Sequence, residues 1–100
     1  MLIIAGSFRI DADKREAAIA AAREMMTETH KEKGCHAYAF SSDFADPTLV
    51  RLYELWESEA ELHTHFATPH MARFQAAIAN IKPRDFDVKR FEISSVGPVR

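Results

Sequence analysis

The sequence has a single cysteine, Cys35, so an intramolecular disulfide framework is excluded. A reactive thiol wants a base or a helix N-terminus beside it. Cys35 follows a predicted helix C-terminus and reads as a small packing residue. The three glycines are isolated, so no phosphate-cradling loop is present. GxSxG is absent, which removes the serine-hydrolase signature. HExxH and paired cysteines are absent too, and no metal site is expected. No apolar run approaches the ~18 residues of a membrane helix. MLIIAGSFRI lacks the basic start of a signal peptide. Lys and Arg number 13 against 15 Asp and Glu, and no basic block stands out, so nucleic acid and anionic membrane are poor partners. A cytoplasmic protein is the expectation.

What is present is a globular composition, 47% hydrophobic and 28% charged, on a chain long enough for one domain, 1–100. Leu2 to Ile10 reads as a strand. Asp13 to Glu16 fits a helix start with Asp13 as cap, and the helix is expected to run to about Lys33, where Gly34 stops it. His36 to Ser42 alternates, with His36, Tyr38 and Phe40 on one face. Asp43 to Pro47 reads as a turn. Leu49 to Glu57 is the next strand, placing Val50, Leu52, Glu54 and Trp56 on one face and Tyr53 and Leu55 on the other. Ser58 to Glu61 is a capping box, and Thr68-Pro69 opens another helix. Phe86 to Val96 reads as a last strand. The order β-α-β-β-α-β predicts an α+β, ferredoxin-like fold with an antiparallel sheet. Helices on one side leave the other sheet face bare. Apolar residues there predict a homodimer.

The segment ELWESEAELHTHFATPHM, from Glu54 to Met71, concentrates the chemistry. His63 and His65 diverge by about 200° on a helix, and His70 lies beyond the Thr68-Pro69 break, so the three do not read as a cluster. Leu62, His65 and Phe66 share a face, which turns His65 inward and His63 outward. His70 falls in the first turn of its helix, near Phe74. Glu54 sits on a face that should be buried and needs a partner: His65, Arg90 or Lys89. Trp56, Phe66, Met71 and Phe74 read either as core or as the walls of a pocket.

GCHAYAF (Gly34 to Phe40) followed by E-x-W-E-S, a leucine-led helix ending in histidine, and TPH resembles the antibiotic biosynthesis monooxygenase family. It is similar in particular to the small quinol monooxygenases within the dimeric α+β barrel superfamily. The resemblance implies a homodimer, a pocket between sheet and helices, and oxygenation of a small aromatic substrate by dioxygen without metal or flavin. It implies His65 as base, Glu54 as its orienting partner, and Trp56, Phe66, His70, Met71 and Phe74 as substrate contacts. Haem-degrading relatives carry asparagine, tryptophan and histidine near the places of Ser7, His65 and Gln75, so haem cleavage is disfavoured. Two alternatives stand beside the monooxygenase. One is an isomerase of a small carbonyl signalling compound, with His65 and His70 as proton shuttles. The other is a non-enzymatic, stress-associated dimeric ligand-binding module, which side chains filling the space beside Trp56 and His65 would indicate.

Overall fold

The computed structural model describes the whole chain, Met1–Arg100. Strand β1 (Leu2–Arg9) leads through a 3-10 turn (Ala12–Lys14) into helix α1 (Arg15–Thr29). Strands β2 (Cys35–Ser42) and β3 (Leu49–Trp56) follow, then helices α2 (Glu59–Phe66) and α3 (Pro69–Ile81), then β4 (Arg84–Glu92). All neighbouring strands are antiparallel, in the order β2-β3-β1-β4. This is the ferredoxin-like arrangement that the order of elements predicts.

Register decides which side chains face the helices. Leu2 pairs with Trp56 and Ile4 with Glu54, so these four share one face. Leu2 and Trp56 join Tyr38, Met25 of α1 and Leu62 of α2 in one buried cluster; Phe8, Ile10 and Ile81 form a second. Ile3, Leu55 and Phe91 pair across the opposite face, which no helix covers.

Local chemistry sets the element ends. Thr68 accepts from the Met71 amide at 3.2 Å, and Pro69 takes the first helical position of α3. Ser58 precedes α2, but its hydroxyl donates to the Glu61 carboxylate and accepts no backbone amide. Asp13 lies in the 3-10 turn and caps nothing; α1 starts at Arg15. The helix also ends at Thr29, short of the expected Lys33, and the chain descends through tight turns to Gly34. Gly34 has φ +81°, and a Cβ there would stand 2.3 Å from Cγ of Glu61. Between Cys35 and Ala37 the β2–β3 register shifts. This bulge turns His36 outward to Glu57, at 2.5 Å, and away from the face of Tyr38 and Phe40 where alternation put it. Strand β4 stops at Glu92 rather than Val96 because its partner β1 begins at Leu2.

Candidate active site

Two regions far apart in sequence meet at one carboxylate. The turn after α1 brings Glu32 beneath the junction of α2 and α3. His65 projects from the last turn of α2 and His70 from the first turn of α3. Glu32 Oε2 lies 2.6 Å from His65 Nδ1 and 2.7 Å from His70 Nε2. A carboxylate only accepts, so each ring presents an N–H to the same oxygen. All three side chains are largely buried, His65 to 1% exposure. Their donor atoms lie within 4.8 Å of one another, and two imidazoles with a carboxylate form a set that can hold a divalent transition metal.

An N–H on His65 Nδ1 fixes the tautomer, in which the neutral ring carries its lone pair on Nε2. That atom is buried and has no hydrogen-bond partner. The ring lies against aromatic neighbours, 4.9 Å from the Trp56 centroid and 5.5 Å from that of Tyr38. A carboxylate on one nitrogen and a free lone pair on the other is the arrangement of a general base held in a fixed tautomer.

Glu54 lies on the same sheet face, 6% exposed, and accepts from the Trp56 indole N–H at 2.8 Å. Burial pushes its carboxyl up to about 7, against the lowering effect of the indole; the charge of Glu32 adds to the rise. It therefore exchanges a proton near neutral pH. Burial also pushes the Tyr38 phenol far up and the Cys35 thiol up to about 11, so both stay protonated and Cys35 is no nucleophile.

A separate cleft of about 140 Å³ opens between α1, α3 and the helix-facing side of the sheet. Its walls include Phe8, Met26, Val50, Phe40 and Phe74, the last two stacked at 5.5 Å. Met26, Phe40 and Phe74 also pack against the cluster containing Trp56, and so divide the cleft from His65.

The expected site residues thus fall into two groups. His65, His70, Glu54 and Trp56 are buried, and Met71 packs beside them. Phe74 lines the cleft. Phe66 is 56% exposed, its ring 6.0 Å from His65, and it does not line that cleft. The helix meets the sheet along Leu62 and His65, and one residue further rotates Phe66 outward by about 100°. Glu54 meets neither His65 nor the basic residues of β4: Arg90 pairs with Glu59 and Glu92, and Lys89 with Asp87. The histidines do not separate as their spacing suggested, since Glu32 gathers two of them. Glu32 itself carries no signal in the sequence. Lys31-Glu32-Lys33 reads as a solvated charge run at a helix end.

The antibiotic biosynthesis monooxygenase family model matches residues 1–77. The chain belongs to this family. A Synechocystis protein, sll1783, is 26% identical over 93 residues, which are 93% of this chain; the chain spans only 63% of that protein's length. YgiN of Escherichia coli, named as a probable quinol monooxygenase, is 33% identical over 72 residues, covering 64% of this chain and 69% of YgiN. A crystal structure from Deinococcus radiodurans that carries the family's name superposes with a TM-score of 0.90 at 22% identity, over 100% of this chain and 99% of that one. At that identity the likeness speaks for the fold. The family match supports monooxygenase chemistry at the family level.

Proposed function

We propose that this family member is a cofactor-independent monooxygenase that oxidises a small quinol or hydroxyaromatic compound with dioxygen. The observation that carries the reading is the Glu32–His65 pair, which leaves Nε2 unpartnered among aromatic rings. An ionised hydroxyaromatic is itself an electron donor to dioxygen. A quinol that loses two hydrogens and gains one oxygen atom supplies all the electrons needed, and the second oxygen atom leaves as water. The protein then has only to bind the ring, take its hydroxyl proton and exclude water. His65 Nε2 takes that proton, Glu32 and His70 hold the ring of His65 in place, and Glu54 buffers charge beside Trp56. Nε2 is buried, so this role requires the side chains between it and the cleft to move aside; Met26, which lines the cleft and packs against the Trp56 cluster, is the most adaptable of the cleft's walls. Oxygen uptake with hydroquinones and anthrone-like phenols tests this. Wild type should exceed autoxidation and His65→Ala should not; equal rates for the two proteins refute it.

A second reading has its own support. Trp56 is wholly buried and side chains fill the space around Nε2, as in a ligand-binding module without catalysis. Ligand binding with no oxygen uptake by any compound of the panel would establish it. Proton exchange into a carbonyl substrate without oxygen use would instead favour an isomerase.

A further inference from the structure

We infer that the cleft between α1 and α3 takes a single-ring aromatic carboxylate, its ring among the apolar walls and its carboxylate drawn to the basic edge that Arg15 and Arg23 give the cleft. The cleft has 16 lining residues, of which 12 are hydrophobic. The remaining four are Arg15, Arg23, Ser41 and Ser42: two cations and two hydroxyls, with no acid among them. This stands out on a chain whose net charge is −2. Arg9, Arg51, Arg73, Arg84 and Arg90 each meet a carboxylate, but neither Arg15 nor Arg23 takes part in a salt bridge. Arg15 is fixed by neutral acceptors only. Its Nη1 donates to Ser42 Oγ at 2.8 Å and to the Pro47 carbonyl at 2.7 Å. Its charge is uncompensated and its other N–H groups are unused, which is the state that recognises a carboxylate by paired hydrogen bonds. Arg23 makes no side-chain hydrogen bond and lies two helical turns further along α1, so the pair brackets the cleft's polar edge.

Size and wall chemistry choose the rest of the ligand. A cavity of about 150 Å³ lined by apolar side chains holds a benzene ring, and this cleft measures about 140 Å³. Phe40 meets Phe8 edge-on at 6.3 Å and stacks on Phe74, so the walls offer both faces and edges to a ring. The inference deepens the proposed function by narrowing its substrate to a ring bearing an acid group, and rests on that function only for turnover.

Binding of 2,5-dihydroxybenzoate, hydroquinone and octanoate to the full chain, measured by calorimetry without oxygen, is the test. The expected result is 2,5-dihydroxybenzoate binding about tenfold tighter than hydroquinone, as hydrogen bonds to a charged partner give. Arg23→Glu, which breaks no hydrogen bond of the fold, should abolish that preference, and Arg15→Lys should reduce it, with hydroquinone affinity unchanged in both. Equal affinity for the two compounds in wild type, or a preference that survives Arg23→Glu, overturns the assignment. Octanoate binding tighter than the aromatic acid overturns the ring. Oxygen uptake is read separately. Uptake with neutral quinols and no carboxylate preference defeats this inference alone, and carboxylate binding without uptake defeats only the proposed function.

Discussion

Glu32 Oε2 stands 2.6 Å from His65 Nδ1 across a sequence separation of 33 residues. The same oxygen accepts from His70, so one carboxylate ties the end of α1 to both later helices. Glu32→Gln keeps the size but removes the anion and can offer its amide N–H to a ring nitrogen, reversing the tautomer. By the behaviour of carboxylate–histidine pairs, turnover should fall by on the order of 10–100-fold or more, with KM changing little. Stability should fall by about 1–3 kcal/mol, as for a buried hydrogen bond left imperfect. Steady-state oxygen uptake and thermal unfolding measure the two effects. A proportional rise in KM with kcat intact would assign Glu32 to substrate binding instead.

Glu54 gives a pH prediction. Its carboxyl rises from 4.5 to about 7 on burial, so folding favours the protonated form. The contribution is fully present below about 4.5, weakens as pH rises, and is lost above about 7. Glu54→Gln keeps an acceptor for the Trp56 indole and never charges. Relative to wild type it should gain on the order of 2–3 kcal/mol at pH 8 and almost nothing at pH 4.5. Urea unfolding across that range checks it; a constant difference would mean that Glu54 does not titrate there.

These residues also show what was legible in the sequence. The two faces of Leu49–Trp56 followed from its alternation, and the start of α3 from Thr68-Pro69, because both depend on neighbours in the chain. The inward turn of His65 was visible from Leu62 three residues before it. Glu32 was not visible, because its partners lie 33 and 38 residues away and its own neighbours are lysines. The bulge at His36 was hidden for a related reason. An extra residue in one strand appears only against its partner strand, while the sequence alternates through it unchanged.

Metal removal offers a third check. Glu32, His65 and His70 form the set able to hold a metal, yet their donors already satisfy one another through two N–H bonds to one oxygen. A metal must displace both protons to enter. Oxygen uptake should therefore survive exhaustive treatment with EDTA, and added Zn²⁺ should inhibit by taking His65 out of its tautomer. Activity lost to EDTA and restored by one metal would move these residues from a proton-handling role to a ligand set.

The bare sheet face yields the last prediction. Only 12 of 100 residues are buried, a small core for an independent chain. Opposite the helices, Ile3 pairs with Leu55 and with Phe91, and Ala5 with Tyr53, which makes a continuous apolar surface across three strands. Tyr53 and Phe91 remain 42% and 50% exposed. A surface like this on every copy is self-complementary about a two-fold axis, and a second sheet covers it without exposing a new edge. The protein should sediment as a dimer at micromolar concentration. Phe91→Asp places a charge on that surface, on the edge strand β4 and on the opposite side of the sheet from the helices and His65. It should give a monomer whose far-UV spectrum is unchanged and whose melting temperature falls. A wild-type monomer at that concentration, or a Phe91→Asp protein that still dimerises, would show that the face is covered in some other way.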